Sequence, residues 1–238
     1  MISEWTVIEK DIKSKTQLLD RWYQLILYMI KSTKLNISEK TSILEVGCGL
    51  GGFCFWLNNH NIDVIGLDFA PKRIDAAKKL GKDLKKRVNF IIGDARALPF
   101  KDTSQGIVIC SEALEHIPSY GIVFNELVRV VKNFSFIIIT VPNIFNMTWF
   151  LKPFELPLYF TSRKGQPSDV NYFSMFTINR LFSRKDLKVI MKRGIGLLSF
   201  RSKHLKLIEY KFNKPRDKLK FMCINIGVLA QKASSASK

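Results

Sequence analysis

Hydrophobic residues along the chain occur in two patterns, a helical spacing and short continuous runs. In residues 14–33 apolar side chains recur every three or four positions, which predicts an amphipathic helix with one buried stripe. Short apolar runs predict buried strands at residues 42–46, 63–67, 88–92, 106–110 and 134–141. The segments between them predict helices from residue 51 to about 58–61, over 71–81 and over 120–132. Apolar strands that alternate with helices are typical of a doubly wound parallel sheet.

The pattern changes at Pro142. Residues 143–182 are rich in aromatic side chains and proline and show no clear period, so we interpret them as an insertion over the carboxyl edge of the sheet. Monomers seldom expose large contiguous apolar patches without a use for them. These aromatic residues are therefore expected to close over a ligand.

The last quarter of the chain predicts one more helix and a hairpin. Ser183 and Asp186 resemble a capping box, which predicts a helix to Lys192 that Gly194 ends. Two β-rich stretches, at residues 195–210 and 219–229, are predicted to pair as a closing hairpin. The predicted fold class is therefore α/β: a Rossmann-like, doubly wound sheet of seven strands, mostly parallel, with a C-terminal antiparallel hairpin.

Length and composition indicate one globular domain. A chain of 238 residues with 47% hydrophobic content can bury a substantial core. Its four cysteines show no paired C-x-x-C spacing, so we expect neither disulfides nor a metal site. No apolar run approaches the roughly 18 to 20 residues that span a bilayer, and the first residues do not resemble a signal peptide. We therefore expect a cytoplasmic protein.

The net charge is strongly positive and unevenly distributed. It amounts to +18, and residues 181–238 contain fifteen Lys and Arg against three Asp and Glu. Basic chains are commonly attracted to nucleic acids or to anionic membranes. A lysine-rich solvated surface without a partner is the alternative.

The stretch ILEVGCGLGG, residues 43–52, joins an apolar strand to a glycine-rich loop. Gly47, Gly49 and Gly52 satisfy the G-x-G-x-x-G fingerprint of dinucleotide-binding proteins. On this fingerprint alone the protein would be a nicotinamide-dependent oxidoreductase.

Three carboxylates lie at the same edge of the predicted sheet. Glu45 is on the first strand, and Asp68 and Asp94 follow the second and third strands. A single Asp at a strand end is usually a cap or turn residue, but acids on three successive strands indicate a ligand. An acid beside the glycine loop would repel the phosphates of a dinucleotide and would suit a cationic ligand.

Five segments resemble, in order and spacing, the motifs of the class I S-adenosylmethionine-dependent methyltransferases: ILEVGCGLGG, VIGLDFAP, FIIGDARALPF, ICSEALEHIP and FIIITVPN. The resemblance spans residues 41–143 and is particularly to the small-molecule branch related to the ubiquinone and menaquinone methyltransferases. The later segment FSRKDLKVIMKRGIGLL resembles that branch's late helix and strand. The resemblance implies methyl transfer from S-adenosylmethionine, and a nicotinamide cofactor is the alternative.

The resemblance also implies a role for each matching position. The methionine end of the cofactor would lie against Glu45 and the glycine loop, the ribose at Asp68 and the adenine amine at Asp94. Phe69 would pack on the adenine ring, beside a backbone donor at Ala95. The implied cofactor-binding residues are Glu45, Gly47, Cys48, Gly49, Asp68, Phe69, Asp94, Ala95 and Ser111.

His116, just beyond the fourth predicted strand, is the candidate catalytic base. Methyl transfer mainly requires an aligned nucleophile, and it requires a base only where the acceptor carries a proton. An imidazole titrates near neutral pH and suits that proton transfer. A local packing role for His116 is an equal alternative. The candidate acceptor-binding residues are Trp22, His116, Trp149 and Tyr172.

The aromatic content of residues 143–182 favours an apolar or lipid-like small-molecule acceptor, with the basic C-terminal surface in peripheral contact with an anionic membrane. RNA is the alternative acceptor, because aromatic side chains beside Arg and Lys also stack on bases. No appended RNA-binding domain is recognisable. A cofactor-binding regulator without catalysis is a further alternative.

The predicted organisation has five parts. They are an N-terminal helical segment over the active site (1–40), the cofactor-binding half of the sheet (41–142), an aromatic lid (143–182), a C-terminal helix with closing strands (183–232) and a disordered tail (233–238).

Overall fold

The computed structural model describes residues 21–32, 41–145, 171, 173–196, 215, 217 and 220–234. The strands are β1 (Ile43–Val46), β2 (Val64–Asp68), β3 (Asn89–Ile92), β4 (Gln105–Ser111), β5 (Val131–Pro142), β6 (Leu187–Ile195) and β7 (Asn225–Lys232). The helices are α1 (Arg21–Ser32), α2 (Gly52–Asn58), α3 (Pro71–Asp83), α4 (Tyr120–Val130) and α5 (Met175–Leu181). Short 3-10 turns lie at Leu114–His116 and Lys220–Met222.

The strands form one sheet in the order β3-β2-β1-β4-β5-β7-β6. β1 pairs in parallel with both β2 and β4, whereas β7 is antiparallel to β5 and β6. This confirms the predicted fold class. Because the strand order reverses between β1 and β4, their carboxyl ends border a crevice, and ligands of doubly wound sheets bind in such a crevice.

Helices cover both faces of the sheet, so its central strands are apolar almost throughout. Every residue of β1 is buried, as are six of the seven residues of β4. Phe124 and Phe173 belong to the core on one face, and Leu25 and Phe53 belong to the core on the other. Continuous apolar runs are expected for strands buried on both sides, and this explains why their positions could be predicted.

The predicted helix over residues 183–192 is wrong, because most of this segment is strand β6. Leu187, Val189 and Met191 alternate along it with more exposed positions, which is a strand period, and β6 pairs with β7 in antiparallel register. The helix of this region is α5, where the Ser174 hydroxyl accepts a hydrogen bond from the N–H of Thr177 at 3.3 Å. The antiparallel C-terminal pair exists, but its first strand precedes the predicted one.

The segment predicted as an aromatic lid is in part core. Phe173 packs edge-to-face on Tyr120 with ring centroids 5.1 Å apart, and Phe182 packs on Phe124 at 4.9 Å. Both phenylalanines are almost fully buried, so residues 173–182 belong to the body of the domain. The rest of the segment, apart from residues 143–145 and 171, lies outside the described residues.

α1 packs on the half of the sheet that contains β5, β6 and β7. A Cβ atom on Gly227 of β7 would lie 2.7 Å from side-chain atoms of Leu25 and Met29, so the close approach of α1 requires a glycine there. The described part of the N-terminal segment is therefore a core helix. Within the described ranges, no helix is both long enough and apolar enough to cross a bilayer.

Candidate functional site

A cavity of about 310 Å³ lies at the carboxyl ends of the parallel strands. It is bounded by the glycine loop after β1, by the ends of β2 and β3, and by the turn after β4. Six residues predicted from the sequence lie in its wall: Gly47, Asp68, Phe69, Asp94, Ala95 and His116. The structure thus brings together residues from four separate segments of the chain.

The glycine loop is held against β2 by its own backbone. The N–H groups of Gly47 and Cys48 both donate to the carbonyl of Leu67, at 2.7 and 3.0 Å. Gly47 has φ +78°, and a Cβ atom there would lie 2.3 Å from the Cβ of Ala113. Only glycine fits this position, because both the backbone conformation and the space exclude a side chain.

Asp68 connects the glycine loop to the start of α3. One carboxylate oxygen accepts from the N–H of Gly49 at 2.9 Å, and the other accepts from the N–H of Ala70 at 2.9 Å. The guanidinium of Arg73 lies 3.9 Å away. The side chain is almost fully buried, yet it lines the cavity. Asp68 can therefore bind a ligand hydroxyl while it fixes the loop.

Asp94 is half-exposed and paired with Arg96 two residues later. The guanidinium contacts both carboxylate oxygens, at 2.6 to 3.1 Å, and the N–H of Arg96 donates to one of them at 2.8 Å. These bonds lower the pKa of the Asp94 carboxyl below its usual range. A ligand amine that binds Asp94 would share the carboxylate with Arg96 or displace its guanidinium.

The loop that begins at Asp94 is anchored to α4 at its far end. Arg129 donates to the carbonyls of Leu98 and Phe100, at 2.9 and 2.8 Å. Glu126 accepts from the N–H of Leu98 at 2.7 Å and also pairs with Arg129. Because both ends of the loop are fixed, Asp94 projects from a defined backbone.

Glu45, which the resemblance assigns to the methionine end of the cofactor, is buried near the end of β1. Its carboxyl is 2% exposed, is absent from the cavity wall and accepts a hydrogen bond from the thiol of Cys54 at 2.8 Å. Burial raises the pKa of Glu45 from 4.5 to about 7, and the nearby charge of Asp68 adds to the rise. In this structure the Glu45 carboxyl therefore contacts α2 and not the cavity.

The remaining predicted residues divide between the site and its surroundings. The hydroxyls of Ser111 and Thr140 form a hydrogen bond of 2.8 Å, and Cys48 is buried against β2. Neither residue lines the cavity, and neither does Gly49. Trp22 lies on α1, edge-to-face with Tyr23, and is also absent from the cavity wall. Trp149 and Tyr172 lie outside the described residues.

Sequence reasoning missed several residues of the cavity wall, among them Arg73, Arg96, Ile117 and Pro118. Glu112 accepts from the side-chain amide of Asn225 at 2.7 Å, which ties the turn after β4 to β7. Ile117 and Pro118 directly follow His116 in the ICSEALEHIP segment, so their position next to a candidate site residue could have predicted that they line the cavity. Arg73 and Arg96 carried no pattern that distinguishes them from the many surface cations.

The donor and acceptor groups of the loop fit S-adenosylmethionine better than a dinucleotide. A pyrophosphate is normally held by free backbone N–H groups of this loop. Here the N–H groups of residues 47, 48, 49 and 51 are all bonded within the protein. The carboxylates of Asp68 and Asp94 suit hydroxyl and amine groups, and the exposed ring of Phe69 suits adenine. The residues present would hold the cofactor's adenosine part.

Asp68→Asn is expected to weaken S-adenosylmethionine binding by about 1 to 3 kcal/mol, because one acceptor oxygen is lost where the ribose and the loop both need it. Isothermal titration calorimetry measures this, with Asp75→Asn on the exposed face of α3 as the control. NAD should release no heat with any of the three proteins. A folded Asp68→Asn protein with unchanged affinity would remove Asp68 from the site.

Comparison with known proteins shows what the central part of the chain is similar to. Residues 44–139 match a family model described as a methyltransferase domain. Demethylmenaquinone methyltransferase of Lactococcus lactis is 39% identical over 95 residues, which are 38% of each chain. The 2-methyl-6-phytyl-1,4-hydroquinone methyltransferase of Synechocystis is 36% identical over 93 residues, 39% of this chain and 29% of that protein. This chain thus matches less than two fifths of the length of either relative.

The fold has close counterparts among solved structures. A SAM-dependent methyltransferase of Methanosarcina mazei superposes with a TM-score of 0.61 over 86% of this chain and 97% of that one, at 19% identity. At this identity the superposition supports the fold alone. The family match covers the strands and loops that build the cavity, and it confirms S-adenosylmethionine as the cofactor of this domain. Residues 44–139 of this chain thus form a domain that is similar to the methyltransferase domains, with S-adenosylmethionine as its cofactor.

Proposed function

We propose that this protein transfers the methyl group of S-adenosylmethionine to a small, apolar acceptor of the hydroquinone type. The observation that carries this proposal is the position of His116 in the wall of the same cavity as Asp68 and Asp94. The names of the two relatives support a quinone-like acceptor. S-adenosylmethionine supplies a methyl group that its sulfonium has already activated, so the protein must mainly align the acceptor and remove its proton.

An apolar surface next to the cavity supports an apolar acceptor. Immediately after Pro118, an open groove of about 980 Å³ runs between α4 and α5. Ile122 and Phe176 in its wall are 51% and 82% exposed, which is unusual for large hydrophobic side chains. Asn171 lines the groove at the end nearest the cavity, where its side chain donates to the carbonyl of Ile117 at 2.8 Å. The groove offers room for the hydrocarbon part of an acceptor whose reacting end lies near His116.

Isotope labelling tests the function and the acceptor class together. Purified protein is incubated with methyl-labelled S-adenosylmethionine and cell extract, and the label is then measured in organic-solvent, aqueous small-molecule and RNA fractions. We expect label in the organic fraction and none with heat-inactivated protein. Label confined to RNA would mean that the acceptor is RNA and not a small apolar molecule, and methyl transfer itself would still be demonstrated. No label in any fraction would support a cofactor-binding regulator.

We further propose peripheral contact with an anionic membrane through α3. The helix contains five Lys and Arg against two Asp, and its cations other than Arg73 are Lys72, Lys78, Lys79 and Lys82, all exposed. Leu80 and Leu84 beside them are 40% and 51% exposed. Lysines beside exposed leucines suit an anionic bilayer better than RNA, because the leucines can enter the interface. Much of the basic C-terminal segment lies outside the described residues.

A triple substitution of Lys78, Lys79 and Lys82 to Glu is expected to lower the affinity for phosphatidylglycerol vesicles more than ten-fold, since each lysine near the surface contributes about 1 kcal/mol. Co-sedimentation at two salt concentrations measures this. The control variant also replaces three exposed lysines with Glu and changes the net charge equally. These lysines lie in or near β5 and β6 and are Lys132, Lys185 and Lys188. Equal losses in both variants, or a larger loss in the control, would contradict contact through α3.

A further inference from the structure

We propose that Glu115 is a positioning residue for His116, whose imidazolium it orients and stabilises while His116 takes the acceptor's proton. The proposal deepens the proposed function and rests on His116 accepting that proton. It arises from an unusual feature of the turn after β4, a carboxylate that is buried without full hydrogen bonding.

The Glu115 side chain is 3% exposed, and its Oε2 atom has no hydrogen-bond partner among the residues that the structure describes. Buried polar atoms in folded proteins are nearly always paired, so an unpaired carboxylate oxygen requires an explanation. Burying such a group costs stability that a neutral side chain would not cost. A functional requirement for a carboxylate at this place is one explanation, and the position of His116 supports it.

His116 is the neighbour that Glu115 can serve. Its Nε2 atom lies 3.8 Å from Oε1 of Glu115, about 1 Å beyond a hydrogen bond. The His116 side chain is 56% exposed in the cavity wall, so its ring has room to turn toward Glu115. With Nε2 directed at the carboxylate, Nδ1 is left to accept a proton from the acceptor.

The backbone holds this pair in place from both sides. The N–H of Asn171 donates to the carbonyl of Glu115 at 2.7 Å, while its side chain donates to the carbonyl of Ile117 at 2.8 Å. Within the turn, the N–H of His116 donates to the carbonyl of Ala113 at 3.0 Å. Only side-chain rotation is therefore needed to close the gap between the two groups.

The groups around Glu115 favour a pH-dependent ion pair between Glu115 and His116. Burial raises the pKa of Glu115 from 4.5 to about 7. From the sheet, the thiol of Cys110 faces Glu115, and its pKa is raised by burial and by this carboxylate. Asn171, which approaches from the other side, is neutral. Among the described residues, His116 is therefore the cation that can pair with Glu115.

In the proposed step all atoms are accounted for. The acceptor's hydroxyl proton moves to Nδ1 of His116 as the hydroxyl oxygen bonds to the methyl carbon. The carbon–sulfur bond breaks and its electron pair stays on sulfur. The ionised Glu115 stabilises the positive charge that forms on the imidazole, as a carboxylate does for the histidine of a catalytic triad.

Glu115→Gln tests the proposal, since it keeps the size of the side chain and removes its charge. We expect kcat with a hydroquinone acceptor to fall about ten-fold, KM for S-adenosylmethionine to stay within two-fold, and the pH–rate profile to lose an ionisation near pH 7. Glu115→Asp should recover part of the rate. In a His116→Ala background, Glu115→Gln should have no further effect. Equal losses in both backgrounds would overturn the positioning role.

A readout that does not depend on turnover separates this proposal from the proposed function. NMR titration of the His116 ring should have its midpoint at lower pH in Glu115→Gln than in the unmodified protein, because the imidazolium loses its partner. Glu45→Gln is the matched control: Glu45 is equally buried and its pKa is also raised to about 7, but it lies under the glycine loop. An unchanged His116 titration in Glu115→Gln would refute the pair, whatever the acceptor proves to be.

Discussion

His116→Ala is expected to lower kcat with a hydroquinone acceptor about 100-fold, the lower end of the range for loss of a general base. The side chain is half-exposed in the wall of the cofactor cavity, close to the groove beyond Pro118. It can therefore reach an acceptor, while the carboxylates of Asp68 and Asp94 are left to hold the cofactor. Single-turnover kinetics with saturating S-adenosylmethionine, from pH 6 to 9, measure the effect.

The affinity for S-adenosylmethionine should stay within about two-fold in His116→Ala, because the imidazole acts on the acceptor's proton. Added imidazole should restore part of the rate, and His116→Gln, which cannot accept the proton, should be as slow as the alanine variant. A rate equal to that of the unmodified protein across this pH range would return His116 to a packing role.

In the ligand-free protein, Glu45→Gln is expected to raise the free energy of unfolding by about 3 kcal/mol above pH 7. Near pH 4 it should leave the free energy of unfolding unchanged. Folding raises the pKa of Glu45 from 4.5 to about 7, so between these values the folded protein binds more protons than the unfolded chain. Stability therefore falls as pH rises through this window. The rise in pKa corresponds to about 3 kcal/mol at 1.36 kcal/mol for each pH unit.

Urea unfolding at pH 4 and pH 8 measures this difference. The amide oxygen of Gln can still accept the thiol hydrogen of Cys54, so the packing under the loop is kept. Asp63→Asn, which removes an exposed carboxylate, is the control and should leave the pH dependence as it is. Glu45→Gln with equal or lower stability at pH 8 would mean that the carboxylate stabilises the loop by more than its burial costs. Proteins keep such destabilising groups where function requires them.

Much of the fold could be predicted because its signals are local. β1, β2 and β3 lie within one residue of the runs predicted for them. β1 and β2 are buried almost throughout and must be apolar, and the edge strand β3 also has a short apolar run. The strand β6 was missed for a related reason. Ser183 and Asp186 have the spacing of a helix cap, yet the residues after them alternate, and pairing with β7 decided between the two states.

In the candidate site, too, some features could be predicted from local sequence and others could not. Asp68, Asp94 and His116 could be placed from the sequence, because each comes where a parallel strand ends and those ends share one edge. Their partners could not be placed. The bond from Gly49 to Asp68 spans 19 residues, and the contact of Asn171 with the turn after β4 spans more than 50. No local pattern encodes contacts of that range.

The sequence by itself determined the alternation of strands and helices, the glycine loop and the acids at the strand ends, because periodicity and backbone conformation depend on neighbouring residues. Only the tertiary structure decided that Glu45 is buried against Cys54, that Asp94 is paired with Arg96, and that the Glu115 carboxylate is buried 3.8 Å from the His116 ring. Burial and ionisation depend on which distant segments cover a side chain and which charges they bring. Those neighbours are set by the packing of the whole sheet and its helices.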